Sequence, residues 1–95
     1  MLNRLFEIIE ERKENPTPGS YTQRLVSSGE DAILQKIGEE AVEVILAAKG
    51  QGSQRLIEET ADLFYHTLVL LSFHGVSLAD VEEELRSRHE RKTSS

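Results

Sequence analysis

The chain contains no cysteine, which excludes a disulfide framework, a thiolate metal site and a cysteine nucleophile. Tryptophan is also absent, and no stretch approaches the roughly 18 consecutive apolar residues that a transmembrane helix requires. The first residues carry charges of both signs in place of the apolar core of a signal peptide. These absences predict a cytoplasmic protein with no membrane partner.

Basic residues are scarce relative to acidic ones, with 11 Lys and Arg against 17 Asp and Glu and a net charge of −6. A chain with this balance is a poor candidate for binding nucleic acid through its phosphates. Residues 30–62 hold eight of the acids and three of the bases, so this third of the chain carries −5 of the net charge. The acidity therefore points to one segment of the chain.

Proline occurs only twice, and both residues lie in the segment 15–20, which we interpret as a rigid turn or loop. Elsewhere apolar residues recur at helical spacing, and there is no alternating strand pattern. The 95 residues are predicted to form one all-α domain over residues 1–95, a bundle of four to five helices. The predicted helices cover residues 2–14, 21–27, 30–49, 53–74 and a last segment from residue 78, with a frayed tail over residues 92–95.

Several helix ends carry recognisable signals. Ser53 is predicted as the N-cap of the helix over residues 53–74, and Gly75 as the glycine that ends it. Ser77 and Asp80 form a variant capping box, with Asp in place of the usual Glu or Gln. The apolar stripes predicted to face the core are Ile33, Ile37, Ala41, Val44 and Ala48 on one long helix, and Ile57, Ala61, Phe64, Leu68 and Leu71 on the next.

The segment Leu63–Phe73 is apolar on nearly all sides, so as a helix it must be covered on all sides. The other helices of so short a chain can hardly surround it. A domain of this size also buries only about two-thirds of the surface that its unfolded chain exposes. A second copy of the chain is the simplest source of the missing cover, and we predict a homodimer.

Two pairs of acids lie in the acidic segment, Glu40 with Glu43 and Glu59 with Asp62. At about 100° per residue each pair shares a helix face, and the short connection predicts antiparallel neighbours. Glu40 borders the apolar stripe, where carboxylates repel one another and lose hydration unless a cation compensates. Mg²⁺ prefers such oxygen ligands. The alternative is that these acids form ordinary solvated helix faces.

Three segments carry motifs, which are SYTxxL over residues 20–25, KxGEEAxE over residues 36–43 and EExADLxYH over residues 58–66. Together they resemble the phosphoribosyl-ATP pyrophosphohydrolase family of histidine biosynthesis, from Leu5 to Arg88. The EExxE…ExxD skeleton alone resembles the wider MazG-like, all-α nucleotide pyrophosphohydrolases. The resemblance implies a dimeric, MazG-like enzyme that uses Mg²⁺ to hydrolyse phosphoribosyl-ATP, an ATP-derived nucleotide, to phosphoribosyl-AMP and pyrophosphate.

The resemblance also implies roles for individual residues. The implied metal ligands are Glu40, Glu43, Glu59 and Asp62. The general base is Glu39 or Glu43, and the sequence leaves this choice open. The proposed substrate contacts are Tyr21, Thr22, Lys36, His66 and Arg88. Structural alternatives remain for three of them: Tyr21 as a loop anchor, Lys36 as an ordinary helix ion pair, and His66 as a packed, hydrogen-bonded histidine. His66 stands one turn after Asp62 on the same face, so it has a further alternative, in which it supports the metal ligands without contacting the substrate.

Two competing hypotheses follow from the same residues. A house-cleaning MazG-like nucleoside triphosphate pyrophosphohydrolase would share the carboxylates but not the SYTxxL and KxGEEAxE segments. A non-catalytic helical dimerisation module would carry the acids only as solvated surface. Preference for phosphoribosyl-ATP over deoxynucleoside triphosphates separates the first alternative, and the effect of Glu40→Gln on activity separates the second.

Overall fold

The computed structural model describes the backbone of residues 1–94 and the side chains of residues 1–91. All regular structure in this part of the chain is helical, with no strand, which confirms the predicted all-α class. The five helices are α1 (Leu2–Glu14), α2 (Tyr21–Ser28), α3 (Glu30–Gly50), α4 (Ser53–Phe73) and α5 (Leu78–Ser94).

The hairpin of α3 and α4 forms the body of the fold, and α1 and α2 pack against it. The turn between the two long helices uses Gly52, whose φ of 88° is a left-handed conformation that glycine adopts without strain. The prediction of Ser53 as the N-cap is wrong, because Gly52 occupies that position and Ser53 is the first helical residue. The short turn makes α3 and α4 antiparallel neighbours, as predicted.

The end of α4 and the start of α5 follow the predicted signals. Gly75 has a φ of 70°, and the backbone N–H of Val76 donates to the carbonyl of Leu71 at 2.9 Å, which closes the last turn of α4. The N–H of Ser77 donates to the Asp80 carboxylate at 3.2 Å, and the N–H of Asp80 donates to the Ser77 hydroxyl at 3.1 Å. The capping box is therefore confirmed.

The core lies where α1, α2, α3 and α4 meet, and it also includes the first residue of α5. Its buried members are Ile9, Leu25, Ile33, Leu68, Val69 and Leu78. A polar link joins α1 to α4 at the edge of this core. Lys13 Nζ donates to the carbonyl of Ser72 at 2.8 Å, and the Ser72 hydroxyl donates to Glu10 at 2.8 Å. Ser72 is fully buried, and this link satisfies its hydroxyl.

The predicted core stripe of α4 is wrong in its first half. Ile57 is 61% exposed and Phe64 is 48% exposed, and Ala61 is also exposed, whereas Leu68 is buried as predicted. The inward face of α4 instead carries the polar residues Glu59 and His66. The first half of the apolar stripe of α4 thus faces away from the chain's own core. A smaller shift affects α3, where Ala47 is buried and Ala48 is exposed.

Helix α5 makes few contacts with the other helices. Between it, α4 and the start of α1 lies a groove of about 740 Å³, whose lining includes Leu2, Phe64, Leu71 and Leu85. The helix continues to Ser94, so residues 92–94 are helical where a frayed tail was predicted, and Ser95 lies outside the described residues. None of the helices in the described part of the chain combines the length and apolar content needed to cross a membrane.

Candidate active site

The side chains of three helices meet at His66, which is 6% exposed on the inward face of α4. Its Nδ1 lies 2.6 Å from Oε1 of Glu40 on α3 and 3.0 Å from the backbone carbonyl oxygen of Asp62. Its Nε2 lies 2.8 Å from the hydroxyl of Tyr21 on α2. The wheel prediction that Glu40 borders the core is confirmed, because its side chain is 13% exposed.

The SYT segment fixes the start of α2 against α4. The hydroxyl of Thr22, a residue only 6% exposed, is hydrogen-bonded to the hydroxyl of Tyr65. Ser20 caps α2 by accepting a hydrogen bond from the N–H of Gln23 at 3.3 Å. Since the hydroxyls of Tyr21 and Thr22 are both bonded within the protein, their positions favour the anchoring alternative. The Tyr21 residue remains 40% exposed, which leaves it accessible to a ligand.

The Tyr21 hydroxyl sits in a charged but partly buried environment. Burial raises its pKa, the Glu40 carboxylate raises the pKa further, and the Lys36 ammonium opposes both effects. The hydroxyl therefore stays protonated near neutral pH and can donate a hydrogen bond. The Tyr21 and Tyr65 rings meet the His66 ring edge to face, with centroids 5.7 and 5.2 Å away. These contacts pack the imidazole on two sides.

Glu59, on α4, is a second acid that faces inward, after Glu40 on α3, and its side chain is 10% exposed. Its partner is the guanidinium of Arg55, one turn earlier on the same helix, which also contacts Glu58 at 2.7 Å. Hydrogen bonds from Gln54 and Arg55 lower the pKa of Glu58. A buried carboxylate is stable only with a counter-charge. In this structure Arg55 supplies that charge to Glu59.

The remaining predicted carboxylates differ in exposure. Glu43 is half-buried and Asp62 is exposed, and neither carboxylate has a hydrogen-bond or ion-pair partner among the described residues. Glu39 is exposed and accepts a hydrogen bond from Gln35 at 3.4 Å. In the part of the chain that the structure describes, no three His, Asp or Glu side chains are grouped so as to hold a metal ion without moving.

The predicted substrate contacts are only partly brought together. Lys36 is exposed, and it lies near enough to Tyr21 to influence its pKa. The alternative of a helix ion pair between Lys36 and Glu40 is not formed, and the partner of the Glu40 carboxylate among the described residues is His66. Arg88 lies on the exposed surface of α5 and donates to Glu84 at 2.9 Å. The substrate roles of Lys36 and Arg88 remain predictions.

Comparison with known proteins identifies the family. The sequence matches the family described as phosphoribosyl-ATP pyrophosphohydrolase over residues 2–89. A phosphoribosyl-ATP pyrophosphatase of Clostridium acetobutylicum is 48% identical over 91 residues, which cover 96% of this chain and 83% of the relative. One from Pelotomaculum thermopropionicum is 51% identical over 89 residues, which cover 94% of this chain and 91% of the relative. The chain belongs to this family.

Membership in the phosphoribosyl-ATP pyrophosphohydrolase family confirms the resemblance found in the sequence. It makes the chain an enzyme of the hydrolase class, so the hypothesis of a non-catalytic dimerisation module is set aside. The matched region contains both long helices and the whole of α2. The family match therefore spans every residue of the cluster around His66.

The chemistry of the donor set fits a hard divalent cation. Glu40, Glu43, Glu59 and Asp62 offer carboxylate oxygens on two antiparallel neighbouring helices, which is the ligand type that Mg²⁺ prefers. One of these carboxylates, that of Glu59, is already paired with a positive charge, the guanidinium of Arg55. Binding an ion here requires Glu59 to exchange Arg55 for the ion, or to share both.

Arg55 and Tyr65, which bond to Glu59 and Thr22, were not predicted as site residues from the sequence. Arg55 precedes Glu59 by four residues, a spacing typical of helix ion pairs, and this signal was available. Tyr65 lies inside the third motif, but its partner Thr22 is 43 residues away. The pairing of two hydroxyls on different helices leaves no local pattern in the sequence.

Proposed function

We propose that this enzyme hydrolyses phosphoribosyl-ATP to phosphoribosyl-AMP and pyrophosphate, with Mg²⁺, as a step of histidine biosynthesis. The observation that carries the proposal is the family match, together with relatives that are 48% and 51% identical to this chain over nearly its whole length. The hydrogen bonds of Tyr21 and Glu40 with His66, which join one residue from each of the three motifs, support it. A chain without cysteine is also consistent with the cytoplasmic location that we propose.

In this proposal Glu40, Glu43, Glu59 and Asp62 hold the cation between α3 and α4. Bound Mg²⁺ would neutralise phosphate oxygens and acidify a water molecule. The chain itself would otherwise repel a triphosphate, because residues 30–62 carry a net charge of −5. The acidic hairpin therefore binds a phosphate chain only together with a cation.

The remaining residues of the hairpin supply the proton acceptor and the substrate contacts. Glu39 and Glu43 are the two acids proposed as general base for the attacking water, one exposed and the other half-buried. Because Glu43 is also a proposed ligand of the cation, the deciding variant is Glu39→Gln. Loss of turnover with Mg²⁺ binding retained would identify Glu39 as the base, and wild-type turnover would leave Glu43. Lys36, an exposed cation close to the Tyr21 hydroxyl, is placed to meet a phosphate of the substrate.

The experiment that tests the proposed site compares the wild-type enzyme with Glu40→Gln and Asp62→Asn. Both substitutions retain size and hydrogen-bonding capacity but remove one negative charge from the proposed ligand set. We expect each variant to fold, to show an unchanged helical circular dichroism spectrum, and to lose Mg²⁺-dependent release of pyrophosphate. Glu83→Gln on α5 is the matched control, because Glu83 is an exposed acid paired with Arg86, and neither residue has a proposed role in the site. Wild-type turnover in both site variants would refute the proposed ligand set.

The enzyme is further proposed to be a homodimer. The apolar side chains of α3 and α4 that face away from the core include Val42, Ile45, Ile57 and Phe64, all between 48% and 63% exposed. Exposed apolar area of this extent on one helical hairpin is typical of an interface. A second copy of the chain, seated on this face and on the groove beside α5, would cover it.

A further inference from the structure

We propose that His66, held by Tyr21, is a positioning residue that fixes the carboxylate of Glu40. The proposal deepens the proposed function and rests on it, because Glu40 is there taken as a ligand of the cation. Of the two functional roles that the sequence leaves open for His66, it selects support of a metal ligand over contact with the substrate. Both ring nitrogens of His66 are bonded within the protein, so neither is open to a substrate.

The location of the imidazole proton follows from the partners of Nδ1. This nitrogen faces Oε1 of Glu40 at 2.6 Å and the carbonyl oxygen of Asp62 at 3.0 Å. An ionised carboxylate and a backbone carbonyl can only accept hydrogen bonds, so Nδ1 carries a proton and donates it. In the neutral ring Nε2 is then an acceptor, and the Tyr21 hydroxyl at 2.8 Å is its donor. The hydrogen bonds thus run from Tyr21 through His66 to Glu40.

The hydrogen bond to His66 restricts how the Glu40 carboxylate can rotate. The terminal torsion of a glutamate is otherwise broad, so a free carboxylate samples many orientations. One oxygen of Glu40 is held by His66, while the other has no partner among the described residues. The side chains of Glu40 and His66 are only 13% and 7% exposed, so water has little access to replace the bond between them.

The imidazole is itself held in place by the surrounding side chains. The Tyr21 and Tyr65 rings pack edge to face with the imidazole ring. The Thr22–Tyr65 hydrogen bond keeps α2 against α4. Rotating the ring would lose the bonds to Tyr21 and Glu40 together. Histidines that orient a metal-binding group in this way change metal affinity by about 10- to 100-fold when they are replaced.

Two substitutions of His66 separate the positioning role from a merely structural one. The side-chain amide nitrogen of asparagine falls near the position of Nδ1, so His66→Asn retains a donor toward Glu40. The amide nitrogen of glutamine falls near Nε2, so His66→Gln retains a polar group toward Tyr21 and loses the donor toward Glu40. We expect His66→Gln to raise the Kd for Mg²⁺ about tenfold and His66→Asn to raise it less than about threefold.

The Kd is measured by isothermal titration calorimetry of the purified protein with MgCl₂. Ser72→Ala is the matched control, because it removes one part-buried hydrogen bond of α4, the one to Glu10, and leaves His66 and Glu40 untouched. We expect it to lower the melting temperature in EDTA without changing the Kd. Equal weakening by His66→Gln and His66→Asn, or no weakening by either, overturns the positioning role while the wild type still binds Mg²⁺. A wild type that binds no Mg²⁺ overturns the proposed function and the positioning role together.

A second measurement needs neither metal nor substrate. The ¹⁵N resonances of the His66 ring in the metal-free protein report which nitrogen carries the proton. We expect a protonated Nδ1 whose resonance shifts in Glu40→Gln and does not shift in Glu83→Gln. A neutral ring protonated only at Nε2 would overturn the proposal, because Glu40 would then have no donor.

Discussion

Glu58 and Glu59 offer a direct thermodynamic test of the proposed cation site, because they are adjacent and share the partner Arg55 but differ in burial. The side chain of Glu58 is 45% exposed and that of Glu59 is 10% exposed. Only Glu59 is proposed to bind the cation. The perturbation is Glu59→Gln, with Glu58→Gln as its matched control.

The expected magnitude follows from linkage between binding and folding. A cation that binds the folded chain alone stabilises it by about 2.7 kcal/mol when its free concentration is about 100 times its Kd. For a domain of this size that corresponds to a rise in melting temperature of roughly 11 to 22 °C. Glu59→Gln removes one of four charged ligands, and its amide oxygen still accepts from Arg55. We therefore expect the variant to melt near the wild type in EDTA and to gain little from Mg²⁺.

The assay is thermal unfolding followed by circular dichroism at one fixed protein concentration, with EDTA or with MgCl₂. Wild type and Glu58→Gln should show the same rise in melting temperature on adding Mg²⁺, and Glu59→Gln should lose most of it. If Glu58→Gln and Glu59→Gln lose the Mg²⁺-dependent rise in melting temperature equally, the proposed role of Glu59 as a ligand is wrong, because its burial would then have no part in binding. A wild type whose melting temperature ignores Mg²⁺ would refute it as well.

Two further predictions concern the stability and assembly of the chain. Burial raises the pKa of Glu10, but hydrogen bonds from Ser72 and Lys13 outweigh it and leave the pKa below its usual value of 4.5. The stability that Glu10 contributes is therefore present above about pH 4.5 and is lost as the pH falls through the lower folded pKa. Glu10→Gln should cost about 1 kcal/mol near neutral pH, a figure discounted for the partial exposure of the side chain. In urea denaturation this cost should shrink as the pH is lowered below about 4.5, and a cost that does not fall with pH would contradict the prediction. Phe64→Lys should convert the dimer to a monomer in sedimentation velocity at micromolar concentration, whereas Gln51→Lys in the exposed turn should remain dimeric, and a monomeric wild type would show the dimer proposal to be wrong.

The local signals of the sequence predicted the fold well. Gly75 and the Ser77–Asp80 capping box act within a few residues of themselves, so their hydrogen bonds were readable from the sequence. The wheel position of Glu40 also held, because an acid beside an apolar stripe must lie at the edge of the core. These features depend on helix geometry alone.

The features that depend on a choice of partner were missed. The stripe with Ile57 and Phe64 is apolar and periodic, but periodicity does not say whether the same chain or another copy covers it. Likewise His66 is a polar residue on the inward face, and it can be buried because Glu40 and Tyr21 on two other helices satisfy it. Such pairings arise from tertiary structure, which spacing along one helix does not encode.

We propose that the carboxylates of α3 and α4 bind Mg²⁺ and that the enzyme uses this ion to hydrolyse phosphoribosyl-ATP. The most direct measurement is pyrophosphate release by the purified wild-type protein from phosphoribosyl-ATP and, in parallel, from a panel of deoxynucleoside triphosphates, each with Mg²⁺ and with EDTA. We expect Mg²⁺-dependent release of pyrophosphate from phosphoribosyl-ATP that far exceeds its release from any deoxynucleoside triphosphate. Preference for a deoxynucleoside triphosphate, or full activity in EDTA, would contradict it.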